Sequence, residues 1–255
     1  MDRYARHSVL PWFGPDGQHK LGSSSVLVVG CGGTGCACSA FLVRAGVGTV
    51  RISDPDTVSA TDLHRQLLFT EDDAEKGSPK AEVAARRLGA ANSTVKIEAV
   101  KARLDSSTAA GLIEGVDLIV DCSDNFDTRM LINEVCLERS VPWIHGACVG
   151  SSGIVIPFPG GEGACYRCIV DHIPAPGSVP TNEEAGILGP VAGMTGSLEA
   201  AEAVQMLLRP EAVTQRIVHF DTWLHLFESI EVERKPNCPA CVGRTFEYLH
   251  GPDAR

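Results

Sequence analysis

Apolar and polar positions in the first half of the chain alternate in two rhythms: short β-branched runs, and longer stretches of helical spacing. Val26-Leu27-Val28-Val29 predicts a first strand, and Gly30-Cys31-Gly32-Gly33-Thr34-Gly35 comes directly after it. The next stretch predicts a helix that stops at Gly46, after Arg44-Ala45. Val50 to Asp54 predicts a second strand, Val95 to Ala99 a third, Asp117 to Asp121 a fourth and Pro142 to Ala147 a fifth. Ser78-Pro79 opens a helix through Leu88, with Ser78 as N-cap and Pro79 at the first helical position, and Asn125 to Glu138 predicts another. Strands alternating with helices imply an α/β fold with a doubly wound, mostly parallel, Rossmann-like sheet.

After Gly150 the rhythm loosens. Gly153 to Phe158 reads as a strand, Pro174 to Gly189 as a long irregular loop, and Ser197 to Leu208 as a helix capped by Ser197. Val218 to Phe220 and Ile230 to Val232 read as short antiparallel strands. No shift in composition marks a linker, so the expectation is one continuous domain over residues 1–255 with a C-terminal antiparallel extension.

Composition narrows the class. With 44% hydrophobic and 21% charged residues, the 255-residue chain can bury a core. The net charge of −10 and the lack of a basic block argue against nucleic acid as a partner, because phosphate neutralisation needs clustered Lys and Arg. No apolar run reaches the ~20 residues of a membrane helix, and MDRYARHSVL lacks the apolar stretch of a signal peptide. Ten cysteines without a secretion signal suggest the reducing cytoplasm, where paired cysteines more often hold metal than form disulfides.

The glycine run is the first chemical signal. A turn of this kind between strand and helix brings backbone N–H groups and the positive end of the helix against a phosphate. Gly30, Gly32 and Gly35 fit G-x-G-x-x-G, Gly33 lies within it, and Asp54 ends the next strand, where a carboxylate can hold ribose hydroxyls. A dinucleotide dehydrogenase and an ATP-using enzyme both satisfy this. The charged residues downstream of Asp54 separate them. Arg65 and Lys80 fall just beyond the nucleotide edge, and Lys80 sits in a first helical turn, where a positive charge opposes the helix dipole. Asp121-Cys122-Ser123-Asp124-Asn125 puts acidic groups at the end of another strand. Two cations and a carboxylate able to hold Mg²⁺ suit nucleotidyl chemistry better than hydride transfer.

The runs GCGGTG, DPDTVSATDLHRQ, GSPK and DCSDN, in that order, resemble the ubiquitin-activating-enzyme superfamily, and within it the ThiF/MoeB-type sulfur-carrier adenylyltransferases. The resemblance runs from Arg3-Tyr4-Ala5-Arg6 to Cys241. It implies ATP and Mg²⁺ as cofactors. The expected nucleotide-binding set is Gly30, Gly32, Gly33, Gly35, Asp54, Asp56, Asp62, Arg65, Lys80, Asp124 and Asn125, with Asp124 on magnesium. Asp62 stands where the family usually has asparagine, and adds negative charge close to the triphosphate. The resemblance also implies a symmetric homodimer in which Arg6 reaches the nucleotide of the opposite subunit. Arg65, Lys80, Asp124 and Arg6 are therefore the expected catalytic residues.

Cys165-Tyr166-Arg167-Cys168 and Cys238-Pro239-Ala240-Cys241 are two C-x-x-C pairs. Four such thiolates make a closed tetrahedral zinc site with no open position, hence a structural one, and the family carries the same two pairs. A redox C-x-x-C is the rival, but such motifs usually occur singly. Cys31, Cys36, Cys38, Cys122, Cys136 and Cys148 read as small core residues, and His64 and His145 as surface or packing residues.

The expected reaction is adenylation of the C-terminal glycine carboxylate of a ubiquitin-like sulfur carrier ending in Gly-Gly, with release of pyrophosphate ahead of thiocarboxylate formation. Residues from about 20 to 150 would bind nucleotide, and those from about 151 to 255 would bind the carrier and hold the zinc staple. Three other readings stand beside it: an NAD(P)-dependent oxidoreductase, adenylation of a short peptide, and a zinc-stapled scaffold without catalysis. Many family members carry a cysteine in the long loop just before Glu-Ala-Gly. Asn182 falls there in this chain, so a separate sulfur donor is expected.

Overall fold

The computed structural model describes residues 3–161, 163–175, 177–179 and 182–251. Among them eight strands form one sheet: β1 Ser25–Val29, β2 Thr49–Ser53, β3 Lys96–Val100, β4 Leu118–Asp121, β5 Trp143–Val149, β6 Ser152–Phe158, β7 Arg216–Asp221 and β8 Leu226–Glu231. Their order is β3-β2-β1-β4-β5-β6-β7-β8, parallel from β3 through β5 and antiparallel from there on. Chain order reverses between β1 and β4, and the crevice at that point is where ligands collect in open α/β sheets.

The central parallel strands β1 and β4 are buried at nearly every position because both faces are covered, while β3 at the edge carries Lys96 and Glu98 and has no buried residue. Val26 and Val28 of β1 face a core that contains Leu42, Val43, Ala200 and Ala203. Leu27 and Val29 face a second core with Ile119, Met130, Ile132 and Trp143. In that second layer the Trp143 and Phe158 rings stack with centroids 4.5 Å apart, which adds roughly 0.5–1.5 kcal/mol beyond burial. Helix Gly189–Leu208 lies across helix Gly33–Ala45 over the first core.

Several elements depart from the sequence reading. Helix Gly189–Leu208 starts well before Ser197, whose hydroxyl donates to the Gly193 carbonyl inside it, so Ser197 is not a cap. Its glycines allow close packing: a Cβ on Gly196 would lie 2.2 Å from the Thr34 carbonyl oxygen. The expected loop before it contains a short helix, Asn182–Ala185. β8 ends at Glu231, earlier than expected, and all six of its residues are exposed. Two N-terminal helices, Ala5–Ser8 and Gly14–Gly22, carry a single buried residue, Leu21, and so present no apolar pattern to read.

Ser78 is not a helix cap either. Helix Lys80–Ala91 begins at Lys80 with Pro79 in extended conformation before it. The Ser78 carbonyl accepts from Val58 N–H at 2.9 Å, and Pro79 bridges Thr57. This short ladder draws residues 78–79 out of the helix and fixes the helix start beside Asp56, whose carbonyl accepts Lys80 N–H at 2.9 Å.

Candidate active site

Three glycines of the loop carry three different loads. Gly30 has φ +91°, and a Cβ there would lie 2.7 Å from the Cys122 carbonyl oxygen. A Cβ on Gly35 would lie 2.0 Å from the Gly30 carbonyl oxygen, so helix Gly33–Ala45 packs directly on the strand end. A Cβ on Gly32 would meet nothing nearer than Gln66 Nε2 at 4.0 Å. That position is open, as the approach of a phosphate to the backbone requires. Gly33, the first residue of the helix, faces Ala192 and Arg65.

Sheet register brings the remaining groups to this edge. Gly30 N–H donates to the Ser53 carbonyl at 2.8 Å, and Cys122 N–H to that of Val29 at 2.9 Å, so the ends of β1, β2 and β4 are level. Asp54 is buried, and its two carboxylate oxygens accept Cys31 N–H at 2.6 Å and Asp56 N–H at 2.8 Å. Burial raises its pKa above the ordinary carboxylate value. One lone-pair direction on each oxygen remains for another donor.

Lys80 is 7% exposed, far below what a solvated lysine shows. Its Nζ lies 3.4 Å from Asp62 Oδ2 and 3.9 Å from Asp56 Oδ2. Arg65 donates to the Thr61 carbonyl at 2.7 Å and to Asp62 Oδ1 at 3.3 Å. Asp62 is thus the hub between the two expected cations. It also accepts from Gln66 Nε2 at 2.7 Å, while Gln66 Oε1 is buried without a partner. Sequence reasoning passed over Gln66; its position one residue beyond Arg65 in a turn that faces Gly32 was the available signal.

At the end of β4, Asp124 is exposed, and Asn125 Nδ2 lies 3.5 Å from its Oδ1. Asn125 Oδ1 accepts Thr128 N–H at 2.9 Å and so caps helix Phe126–Arg139. Asp121 behind them is buried and pairs with His145 Nδ1 at 2.8 Å. Burial lowers the His145 pKa. This pair is a core hydrogen bond, as the packing reading of His145 expected, and His64 lies at the surface, as the other reading allowed. Arg6 is exposed on helix Ala5–Ser8, an element apart from the cation cluster of its own chain.

The two C-x-x-C pairs converge. Cys165 and Cys168 Sγ atoms are 4.0 Å apart, Cys165 and Cys238 3.5 Å, and Cys168 and Cys241 3.6 Å. Zinc bonds of ~2.3 Å in a tetrahedron set sulfur–sulfur edges at about 3.8 Å, so the cluster has the size of a Zn(Cys)₄ site. Burial and the neighbouring thiols push Cys165 well up, a crowding that a divalent cation offsets. Lys235 N–H donates to Cys168 Sγ at 3.4 Å, as a thiolate ligand would accept. The cluster joins the segment after Ala164 to the C-terminal segment through Ala240 and Phe246.

Five other cysteines are buried, and Cys148 is half-buried. Cys38 and Cys122 close around Glu199 of helix Gly189–Leu208, with Cys122 Sγ 3.5 Å from both carboxyl oxygens. Burial raises the Glu199 pKa well above the ordinary range. No local pattern in the sequence marked this residue. Pro180 and Thr181, just before Asn182, lie outside the described residues.

The ThiF family model matches residues 4–240. The chain is 41% identical over 247 residues to a sulfur carrier protein adenylyltransferase of Thermus thermophilus, covering 94% of this chain and 90% of that protein. It is 39% identical over 245 residues to the SAMP-activating enzyme E1 of Haloferax volcanii, covering 94% and 88%. It is 34% identical over 249 residues to the sulfur carrier protein ThiS adenylyltransferase of Bacillus subtilis, covering 97% and 73%. A crystal structure of E. coli MccB with MccA-N7isoASN superposes with TM-score 0.81 at 25% identity, covering 94% of this chain and 74% of that one. Matched over nearly its whole length and across these relatives, the protein belongs to the ThiF family.

Proposed function

We propose that this protein is an adenylyltransferase that activates the C-terminal glycine carboxylate of a small ubiquitin-like sulfur carrier with ATP, releasing pyrophosphate before thiocarboxylate formation. One observation carries the reading: two cations, one of them a nearly buried lysine, are assembled beside an open glycine loop at the switch point of the sheet. A nicotinamide oxidoreductase on the same loop, or an inactive zinc-stapled scaffold, leaves that assembly without a purpose. The names of the relatives at 34–41% identity specify a sulfur carrier or SAMP, which favours a carrier over a short peptide as substrate.

In this reading Asp54 orients the ribose, the loop N–H groups and the start of helix Gly33–Ala45 meet phosphate, and Arg65 and Lys80 stabilise charge on the reacting phosphates. The carrier's carboxylate oxygen attacks the α-phosphorus in line, and pyrophosphate departs with its electron pair. No general base is needed, because the carboxylate is already ionised. Asp124, exposed at the end of β4, would hold Mg²⁺, which supplies positive charge beside the leaving pyrophosphate.

The two halves divide the work: residues from about 20 to 150 bind nucleotide, and those from about 151 to 255 receive the carrier around a structural zinc on Cys165, Cys168, Cys238 and Cys241. A homodimer in which Arg6 serves the partner's site is part of this reading, and the exposed apolar groove of about 600 Å³ lined by Phe41, Leu67, Pro190, Met194 and Phe227 is a surface that a second copy could cover. Among the described residues no helix is long and apolar enough to cross a membrane, which is compatible with action in the cytoplasm.

The test is ATP–pyrophosphate exchange with a carrier ending in Gly-Gly. Exchange that depends on the carrier is expected, and its absence refutes the reading. Asn182 is not a nucleophile, so intact-mass spectra of the same mixture without reductant should show adenylylated carrier and no carrier–enzyme adduct. A thiol-sensitive adduct would overturn the need for a separate sulfur donor.

A further inference from the structure

Asp62 does more than a helix-capping aspartate has to do. Its Oδ2 accepts Ser59 N–H and Ser59 Oγ, each at 3.0 Å, and these two bonds complete the cap of the Ala60–Asp62 turn. A neutral amide oxygen would serve that cap equally well. The full charge is used elsewhere, on Lys80 at 3.4 Å and Arg65 at 3.3 Å. A second residue in the chain shows the plain version of the motif. Asp73 caps helix Glu71–Glu75 through Thr70 N–H at 2.9 Å and Thr70 Oγ1 at 2.8 Å, and pairs with Arg86 and Arg87 on an outer face. The two aspartates have the same local geometry and both are buried. Of the two, it is Asp62 that is bonded to the cations beside the glycine loop.

We propose that the Asp62 carboxylate is an internal counter-anion: it holds Arg65 and Lys80 in place in the empty site, then competes with the nucleotide phosphates for them. This rests on the adenylation reading. Without Asp62, the nearly buried Lys80 ammonium keeps only Asp56, exposed and 3.9 Å away, against its own desolvation cost and the repulsion of the Arg65 guanidinium. The carboxylate removes that cost before substrate arrives. A triphosphate displaces it with several negative charges, yet Asp62 cannot leave, because Ser59 N–H and Ser59 Oγ anchor its Oδ2. Its charge therefore stays near the bound phosphates. The consequence is weaker binding of ATP and of pyrophosphate than the two cations alone would give, and easier departure of the product. Asp62 is a positioning residue here, acting through Arg65 and Lys80.

The experiment compares the whole protein with Asp62→Asn and, as the matched control, Asp73→Asn. ATP and pyrophosphate are titrated calorimetrically with Mg²⁺ present, and thermal melts are recorded with and without ATP. Both variants should melt lower than the parent without nucleotide. Only Asp62→Asn should bind ATP and pyrophosphate more tightly, by about tenfold, with a lower KM for ATP and a kcat reduced by slower product release. Asparagine keeps the Ser59 contacts with its oxygen and puts its NH2 where Gln66 Nε2 now donates, so the Gln66 amide must turn over to present Oε1, which is buried without a partner. If that variant does not fold, Asp62→Glu pushes the carboxylate toward the phosphates and should weaken ATP binding instead. Unchanged or weaker ATP binding in a folded Asp62→Asn chain overturns the proposal alone, since the parent still binds. A parent chain that binds no ATP overturns the adenylation reading as well.

Discussion

The rim of the parallel strands and the four-cysteine cluster both crowd polar groups into a small space, and they resolve the crowding in opposite ways. At the rim, cations and carboxylates of opposite sign satisfy each other: Lys80 with Asp62 and Asp56, Arg65 with Asp62. In the proposed reading those pairs are traded for phosphate, and the Gly32 backbone beside them is open. In the cluster, four thiols of the same kind stand 3.5–4.0 Å from their nearest neighbours. A metal held by all four thiolates would complete such a set and leave nothing to offer a substrate. Exchangeable pairing marks the reacting region, and closed coordination the structural one.

The strongest way to break this contrast is at the cluster. The purified protein should hold about one zinc per chain, and Cys238→Ser should lose it. Structural zinc binding in finger peptides is worth ~10–16 kcal/mol, so amide protection across helix Glu247–His250 and its neighbours should collapse in hydrogen exchange. Zinc-free protein from a chelator-free preparation, with protection intact, would erase the distinction.

At the rim, Lys80→Ala or Arg65→Ala should slow pyrophosphate exchange ~10²-fold or more while zinc content stays unchanged. An inactive Arg6→Ala chain mixed with an inactive Lys80→Ala chain should regain activity in mixed dimers. Full rates in either rim variant, or no recovery despite demonstrated subunit exchange, would show that the charges belong to another task.

The smallest effect lies in the core, at Glu199 beside Cys38 and Cys122. Burial raises its folded-state pKa, so the acid is neutral in both states well below 4.5 and costs stability only as pH climbs above that value. Glu199→Gln should therefore raise the Tm by a few degrees at pH 8 and leave it unchanged at pH 4. A Tm gain of equal size at both pH values would mean that packing, rather than charge, separates the two side chains.

How much of this is legible in the sequence depends on whether the cause is local. Strands β1 and β4 are visible because burial on both faces makes them almost continuously apolar, β2 because Val50 and Ile52 alternate with polar residues, and the glycine loop because of its spacing. Helix Gly189–Leu208 reads short because Gly189, Gly193 and Gly196 look like loop residues; Gly196 serves a neighbouring helix instead. β8, exposed at every position, has no alternation to betray Leu226 to Ser229, and only its end falls within the strand expected from Ile230. The convergence of the cysteine pairs is readable from chemistry, since four matched ligands imply one ion. The roles of Asp62 and Glu199 are not, because each arises from contacts that only the fold creates: Asp62 with Lys80, and Glu199 with Cys38 and Cys122.

The glycine loop also divides its own mutational history. A methyl group at Gly35 collides with the Gly30 carbonyl, and one at Gly30 with Cys122, so a substitution at either is removed by the failure to fold. A methyl at Gly32 reaches only open space. Alanine at Gly32 meets only the ordinary N-cap preference for glycine, so a screen for soluble, stable protein would tolerate it far better than a change at Gly30 or Gly35. In the proposed reading a selection that demands bound nucleotide would retain the glycine, so comparing survivors of the two screens would separate the architecture of this loop from its chemistry, one residue at a time.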